Sequence, residues 1–496
     1  MFRADPDTVH SLIVWDGISH DGLSWLGDWL STQDNWLLSL FPFHFGGYLI
    51  FGAIPEVAVV GGWIIFALSA LLAGVLAWQM GARRAAPLVS LVLLFSGRYV
   101  HAGGFASYAA AHNITNLYGL AAMALILHWV EHRGDWKLLV LAWLLIAGGV
   151  SDPWMVAAYQ LPIALAALAA AISPGLRADA VKIGLVAALS IVAVKTRLFG
   201  AMGFLPQMHY ELGDWQTIVN NIGWAVRNFG GMFSVVPHTS SAETTAWGPA
   251  IISLVLVAVV FATLVANAIR RRESWGTPAL AFAGIASLSA GGVVAAYVIG
   301  SVPADIASAR FLLNDYYLLI VAVGVLLERQ WRTLPRVVSW SAAGLAVLFV
   351  ITGALTSLEV WQRPGFHLDN TRSRQLIDFL RRNELSDGYG PYWGAYANAV
   401  TAESGFAIRL RPVVFDRASG EMIAGTRAQT SRRWYRADAS GTGTHFVMVM
   451  ADGEECPAPA VCIAGLRRQF GPPMRELQYQ QATVLVWDHA LVGYQP

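Results

Sequence analysis

Residues 57–80, VAVVGGWIIFALSALLAGVLAWQM, run without a single charge. A bilayer core about 30 Å thick takes roughly 20 apolar residues in helical form, so the stretch is long enough to cross it. Just before it, residues 27–44 read GDWLSTQDNWLLSLFPFH. That segment is too polar to span a bilayer and too rich in Trp, Leu and Phe for a free tail. It reads as a segment lying at a membrane surface ahead of a span.

Further apolar runs follow near 86–104, 114–131, 137–151, 154–172, 181–199, 248–269, 277–300, 311–328 and 336–358. Together with 57–80 they predict a polytopic α-helical membrane protein of about ten spans. Composition agrees. The 496 residues are 56% hydrophobic and 13% charged, with a mean hydropathy of +0.50, whereas soluble domains carry roughly 25% charged residues. A net charge of +1 offers no basic face for nucleic acid.

Short connectors carry Arg83, Arg84, Arg133, Lys137, Arg177, Lys182, Arg270 to Arg272, Arg329, Arg332 and Arg336. The other side holds only Arg3, Arg98, Lys195, Arg197, Arg227 and Arg310, spread over many more residues. The positive-inside rule makes the first set cytoplasmic. The longer loops and the tail from about 360 then face outward, and chemistry is expected on that side. The start, MFRADPDTVHSLIV, has neither a basic n-region nor an apolar core and is not a signal peptide. An outward start is expected to follow a first helix ahead of Met1.

These readings divide the chain into an outer-face loop with interfacial helices (1–56), a transmembrane helical domain with an outer loop at 200–247 (57–359), and an extracytoplasmic α+β domain (360–496). In the last, TRSRQLIDFLRRNEL sets Leu376, Phe379 and Leu380 on one helical face. FAIRLRPVVF, THFVMVMA and ATVLVWDHALV read as strands between Gly, Asp and Ser turns. The only cysteines, Cys456 and Cys462, are a disulfide pair or two separate thiols by spacing alone, and an oxidising compartment favours the pair.

Ionisable residues at span ends are costly unless they pack in pairs or serve a site. Asp5, Asp7, Asp16, Asp21, Asp28 and Asp34 crowd the first loop, where each reads either as a solvated acid or as a functional one. Asp152, in SDPW, sits where two spans meet and reads equally as a helix cap and as a site carboxylate. His112 and Asn113 open a span. With His101 and His209 they show no ligand spacing, so no metal is predicted, although a divalent ion is left open. Arg310 offers a planar fork suited to phosphate oxygens, or a snorkelling cation. The stretch MHYELGDWQTIVNNIGWAVRNFGGMF, 208–233, has a helical period and interfacial aromatics.

The order of these pieces resembles the bacterial polytopic glycosyltransferases of the GT-C superfamily. The resemblance rests on the loop DPDTVHSLIVWDGISHDGLSWLGDWLSTQDNWLLSLFPFHFGGYLIFG, the HN at 112–113, the SDP at 151–153, Arg310, and YGPYWGAYANAVTAESG in the tail. It implies a GT-C-like fold in the cytoplasmic membrane. It also implies transfer of a sugar from a polyprenyl-phosphate carrier to an outer acceptor, whether glycolipid, polysaccharide or protein. Asp7, and next Asp5, take the place of the catalytic base. Asp152 orients the acceptor or sugar, Arg310 meets the phosphate, and His112, Asn113, Asp34 and Trp36 line the substrate site. The rival reading is a multi-span transporter or lipid flippase for an envelope precursor, which predicts internal repeats and mid-membrane polar residues.

Overall fold

The structure is a computed structural model that describes residues 5–32, 34–96, 100, 105–108, 112–172, 176–195, 212–233, 276–301, 305, 307–361, 370–436, 443–451, 456 and 458–491. Five of the described helices are long and apolar enough to cross a membrane: Pro55–Gln79, Asn113–Glu131, Thr277–Ile299, Ala307–Gln330 and Arg336–Leu355, with mean hydropathies from 1.2 to 2.3. Leu40–Phe51, Ala85–Leu94 and Val156–Ala170 are shorter apolar helices. The chain is a helical, multi-span membrane protein with a mixed α+β region at its C-terminus. The apolar run expected at 86–104 stops being helical at Leu94. The run at 248–269 lies outside the described residues, as do His101, His209, Arg3, Arg98 and Arg197.

Small residues let the helices approach closely, as membrane bundles require where lipid supplies no hydrophobic drive. Pro55–Gln79 lies against both Ala85–Leu94 and Asn113–Glu131. A Cβ on Gly74 would stand 2.1 Å from Ser90 Oγ, and one on Gly119 would stand 2.3 Å from the Tyr159 ring. The connector charges double as helix-end clamps. Glu328 Oε2 accepts from the Arg84 and Ala85 amides at 2.9 and 2.7 Å, and Arg329 donates to the Met80 carbonyl at 2.7 Å.

The amphipathic helix expected in the outer loop is Trp215–Met232, with the Asp214 side chain capping the Thr217 amide at 2.7 Å. Trp215, Val219, Ile222 and Val226 form an exposed apolar stripe, while Asn221 and Asn228 are buried on the opposite face. A helix with its amides inward and its apolar stripe outward fits a membrane interface.

The C-terminal region is built on a five-stranded sheet with order β3-β2-β7-β9-β8: β2 is Asp387–Gly390, β3 Arg409–Pro412, β7 His445–Val449, β8 Arg475–Tyr479 and β9 Ala482–Trp487. The β2 strand pairs in parallel with β3 and β7, whereas β9 pairs antiparallel with β7 and β8. Helix Thr371–Arg382 buries Leu376 and Leu380. Cys456 and Cys462 are joined by a disulfide. The smaller strands β4 (Val414–Phe415) and β5 (Met422–Ile423) make a separate hairpin.

The opening segment departs from the membrane-lying reading. Trp25, Leu26, Trp29, Trp36, Leu40 and Phe41 are buried, and they share one apolar core with Leu376, Leu380, Phe446 and Val484 of the C-terminal region. Trp29–Leu30 (β1) pairs antiparallel with Thr430–Ser431 (β6). Asp28 meets Arg433 at 2.6 Å and Arg436 at 2.7 Å. The tryptophans serve a protein interface here, because the C-terminal region supplies the apolar partner that bilayer lipid was expected to supply.

Candidate active site

Two carboxylate clusters meet where the opening segment, the helix ends and the C-terminal region converge. The first is assembled by a loop-to-loop zipper. Asn35 Nδ2 donates to the Val150 carbonyl at 2.6 Å, the Trp36 amide to the Ser151 carbonyl at 3.2 Å, and Ser151 Oγ accepts from the Leu38 amide at 2.9 Å. Trp36 takes a left-handed backbone (φ 58) to make this approach. The zipper carries Asp34 to Asp152.

Asp152 ends helix Asp135–Ser151 and does both jobs that the sequence left open. Its Oδ1 accepts from the Trp154 amide at 2.9 Å, which caps the following turn. Its Oδ2 accepts from Thr115 and meets His112 Nδ1 at 2.6 Å. The carboxylate is fully buried. His112 precedes helix Asn113–Glu131 in the left-handed region (φ 58), where non-glycine residues are uncommon and cluster at functional sites. Its ring lies among Trp36, Trp154 and Phe311, at centroid distances of 5.9, 6.1 and 4.8 Å.

Electrostatics bind this cluster together. Burial pushes the Asp34 carboxyl up, and the neighbouring Asp152 charge pushes it further, to about 7, against opposing pulls from His112 and Arg310. Burial by itself lowers the His112 imidazole, but Asp152 and then Asp34 outweigh it and hold the pKa above its ordinary value. Asp34, His112 and Asp152 each offer one ligand atom, all within 4.8 Å of one another. One imidazole nitrogen and two carboxylate oxygens form a donor set that suits a divalent cation. Sequence spacing did not bring these three together, because two of them are acids on other elements. Arg310 sits in the short turn Ala307–Leu312 with its guanidinium carbon 5.9 Å from the Tyr108 ring and 5.1 Å from Phe311. Its Nε is buried without a hydrogen-bond partner among the described residues.

The second cluster is Asp7. Oδ2 accepts from the Tyr108 hydroxyl at 2.7 Å, and Oδ1 accepts from the Tyr392 hydroxyl at 2.7 Å and from Gln429 Nε2 at 2.9 Å. Burial first, and the Asp7 charge next, push both tyrosines well above the usual phenol range, so their hydroxyls keep their protons and donate. Asp7 itself stays partly exposed.

The remaining residues singled out from sequence have structural partners. Asp5 Oδ1 accepts from the Thr8 amide at 2.8 Å and the Thr8 hydroxyl at 2.7 Å, which caps the approach to helix His10–Asp21. Asn113 Nδ2 donates to the Phe105 carbonyl at 2.7 Å and is fully buried. Tyr108, Thr115, Tyr392 and Gln429 escaped the sequence reading. Tyr392 stands in a quoted segment without a charge to mark it, and Tyr108 and Gln429 carry no sequence signal.

No family model matches the sequence, and no curated protein matches it. Among solved structures, the chain is similar to the crystal structure of ArnT from Cupriavidus metallidurans in the apo state. The likeness covers 98% of this chain and 94% of that one, at 14% identity and a TM-score of 0.43. At that level it carries no argument about activity or residues.

Proposed function

We propose that the chain is a membrane glycosyltransferase of the GT-C kind. It moves a sugar from a polyprenyl-phosphate carrier to a glycolipid, polysaccharide or protein acceptor at the outer face of a cytoplasmic membrane. The observation that carries this reading is the placement of a partly exposed carboxylate, Asp7, close to a buried acid–imidazole cluster and to Arg310 in a chain of membrane-spanning helices. Asp7 and Asp34 influence one another electrostatically, as do Asp34 and Arg310. A base, an orienting cluster and a cation are what transfer from a phosphate-linked donor needs.

In the proposed reaction the acceptor oxygen bonds to the anomeric carbon of the sugar and gives its proton to Asp7. The bond from that carbon to the phosphate oxygen breaks, and its electron pair leaves with the polyprenyl phosphate. General-base help of this type contributes about 10²–10⁴-fold. Arg310 faces the charge that grows on the departing phosphate. Asp152 and His112 hold the acceptor or sugar, and Trp36 supplies an apolar wall. Asp5 serves the base from behind, through the turn that it caps.

The transporter reading is favoured by one observation. Asp315, on the membrane helix that also carries Arg310, is an ionisable residue only 3% exposed. Ionisable groups so placed commonly mark ion or substrate paths. The two readings separate in proteoliposomes supplied with undecaprenyl-phosphate glucose, mannose or arabinose and a lipid extract of the native envelope. Sugar appearing on an acceptor, with release of undecaprenyl phosphate, is the expected result. Movement of the donor across the bilayer with no sugar transferred would overturn it.

A further inference from the structure

The Asp7 carboxylate is held from both ends of the chain. Tyr392 and Gln429 belong to the C-terminal region, and they lie 385 and 422 positions from the acid that they touch. Neither is held loosely. Tyr392 is 1% exposed and has the Arg427 guanidinium over its ring at 4.6 Å. Gln429 is 5% exposed and takes a left-handed backbone (φ 61). Its amide donates to the Leu30 carbonyl at 2.5 Å, and its carbonyl accepts from Asn398 Nδ2 at 2.9 Å. A glutamine locked in a costly conformation so that its side chain reaches one carboxylate is backbone strain spent at a site.

A carboxylate offers about four lone-pair positions. Tyr392 and Gln429 fill both on Oδ1, and Tyr108 fills one on Oδ2. The remaining position lies on Oδ2. A second feature concerns the Tyr392 hydroxyl, whose one proton lies within reach of both Asp7 Oδ1, at 2.7 Å, and Gln429 Oε1, at 2.5 Å.

We propose that Tyr392 and Gln429 are positioning residues for Asp7, that they make Oδ2 the oxygen that receives the proton, and that the Tyr392 hydroxyl turns from Asp7 to Gln429 Oε1 as Asp7 is neutralised. This rests on the reading of Asp7 as the base. While Asp7 is charged, the Tyr392 proton points at Oδ1 and stabilises that charge. When the acceptor O–H proton moves to Oδ2, Oδ1 becomes a weaker acceptor. The Tyr392 proton then swings to the amide oxygen, and Gln429 Nε2 keeps its bond to Oδ1. No proton is gained or lost beyond the one taken from the acceptor. When Oδ2 later releases that proton to water, the hydroxyl swings back. The C-terminal region thereby becomes part of the active site, because the base is oriented only when that region is docked on the opening segment.

The test uses the full chain in proteoliposomes with the undecaprenyl-phosphate donor that proves active in the transfer assay. Tyr392→Phe and Gln429→Leu are each expected to lower kcat by about 10- to 100-fold, the size of a lost hydrogen bond to a charged group. Donor KM should stay unchanged, and any fall in thermal midpoint should be the same with and without saturating donor. In an Asp7→Asn background the same substitutions should cost almost nothing further, since a shared function is lost once. Wild-type kcat in Tyr392→Phe and Gln429→Leu, or an equal loss with and without Asp7, overturns the inference while leaving Asp7 as base. Full activity of Asp7→Asn overturns both.

Discussion

Asp7 and Asp152 are both acids brought against polar partners, yet they are dressed in opposite ways. Asp7 takes two tyrosine hydroxyls and one amide, all uncharged, and remains partly open. Asp152 is fully buried and spends its oxygens on a backbone cap, a threonine and an imidazole whose pKa is raised. The three uncharged donors orient the Asp7 carboxylate and leave one lone-pair position on Oδ2 for a proton, whereas a buried ion pair holds geometry and is costly to break. The first arrangement suits a reacting group and the second a rigid scaffold on which the acceptor or sugar is held.

Four substitutions break or sharpen that contrast. Asp7→Asn keeps shape and one hydrogen-bond acceptor but removes the basic oxygen, so kcat for sugar transfer should fall by about 10²-fold or more with little change in donor binding. Steady-state kinetics with the active donor would show it, and an unchanged kcat would place Asp7 with the scaffold. Arg310→Ala should act on the donor instead. Donor KM rises by roughly 10-fold or more as the charge-assisted contact to phosphate is lost, with a smaller change in kcat.

Asp152→Asn is the intermediate case. Asn can still accept from the Trp154 amide, so the cap survives, but a charge-assisted bond to His112 becomes a neutral one, roughly half as strong. Activity should drop by about tenfold, with a lowered thermal midpoint in detergent. A loss as deep as that of Asp7→Asn would erase the distinction between the two acids.

The smallest effect concerns pH. Burial and the neighbouring Asp152 charge raise the Asp34 carboxyl pKa to about 7 in the folded chain, against an ordinary value of 3.8. Folding therefore favours its protonated form. The stabilisation is complete below 3.8, declines as pH rises through that window, and is gone above about 7. Asp34→Asn should accordingly raise the thermal midpoint at pH 8 and lose that advantage as pH falls toward 4. A gain that is constant across this range would mean that Asp34 does not titrate there.

Much of this architecture is readable from residue order alone. The run at 57–80 becomes helix Pro55–Gln79, TRSRQLIDFLRRNEL becomes helix Thr371–Arg382, and the apolar runs of the tail become β3, β7 and β9. Each is a local pattern whose period reports the face it buries. The interior strand β2, DGYG, escaped because it carries no apolar run to mark it. A Cβ at Gly388 would lie 2.5 Å from the Phe446 ring, so glycine is needed there for close approach and not for bending. His112, Asp152 and Arg310 were visible as polar residues at the ends of apolar runs, and Asp7 and Asp34 as acids crowding the first loop. Their cost in or near a bilayer makes each conspicuous.

Hydropathy, charge placement and period are properties of neighbouring residues, so the sequence by itself determined a helical membrane protein with an α+β tail and a short roll of acids and cations worth weighing. The tertiary structure decided what those residues touch. Tyr392 and Gln429 meet Asp7 across almost the whole chain, and the tryptophans of the opening segment turn to the C-terminal core instead of lipid. Such contacts carry no local signature, since a hydroxyl or an amide costs little at the surface and acquires its role only when burial leaves one carboxylate within reach.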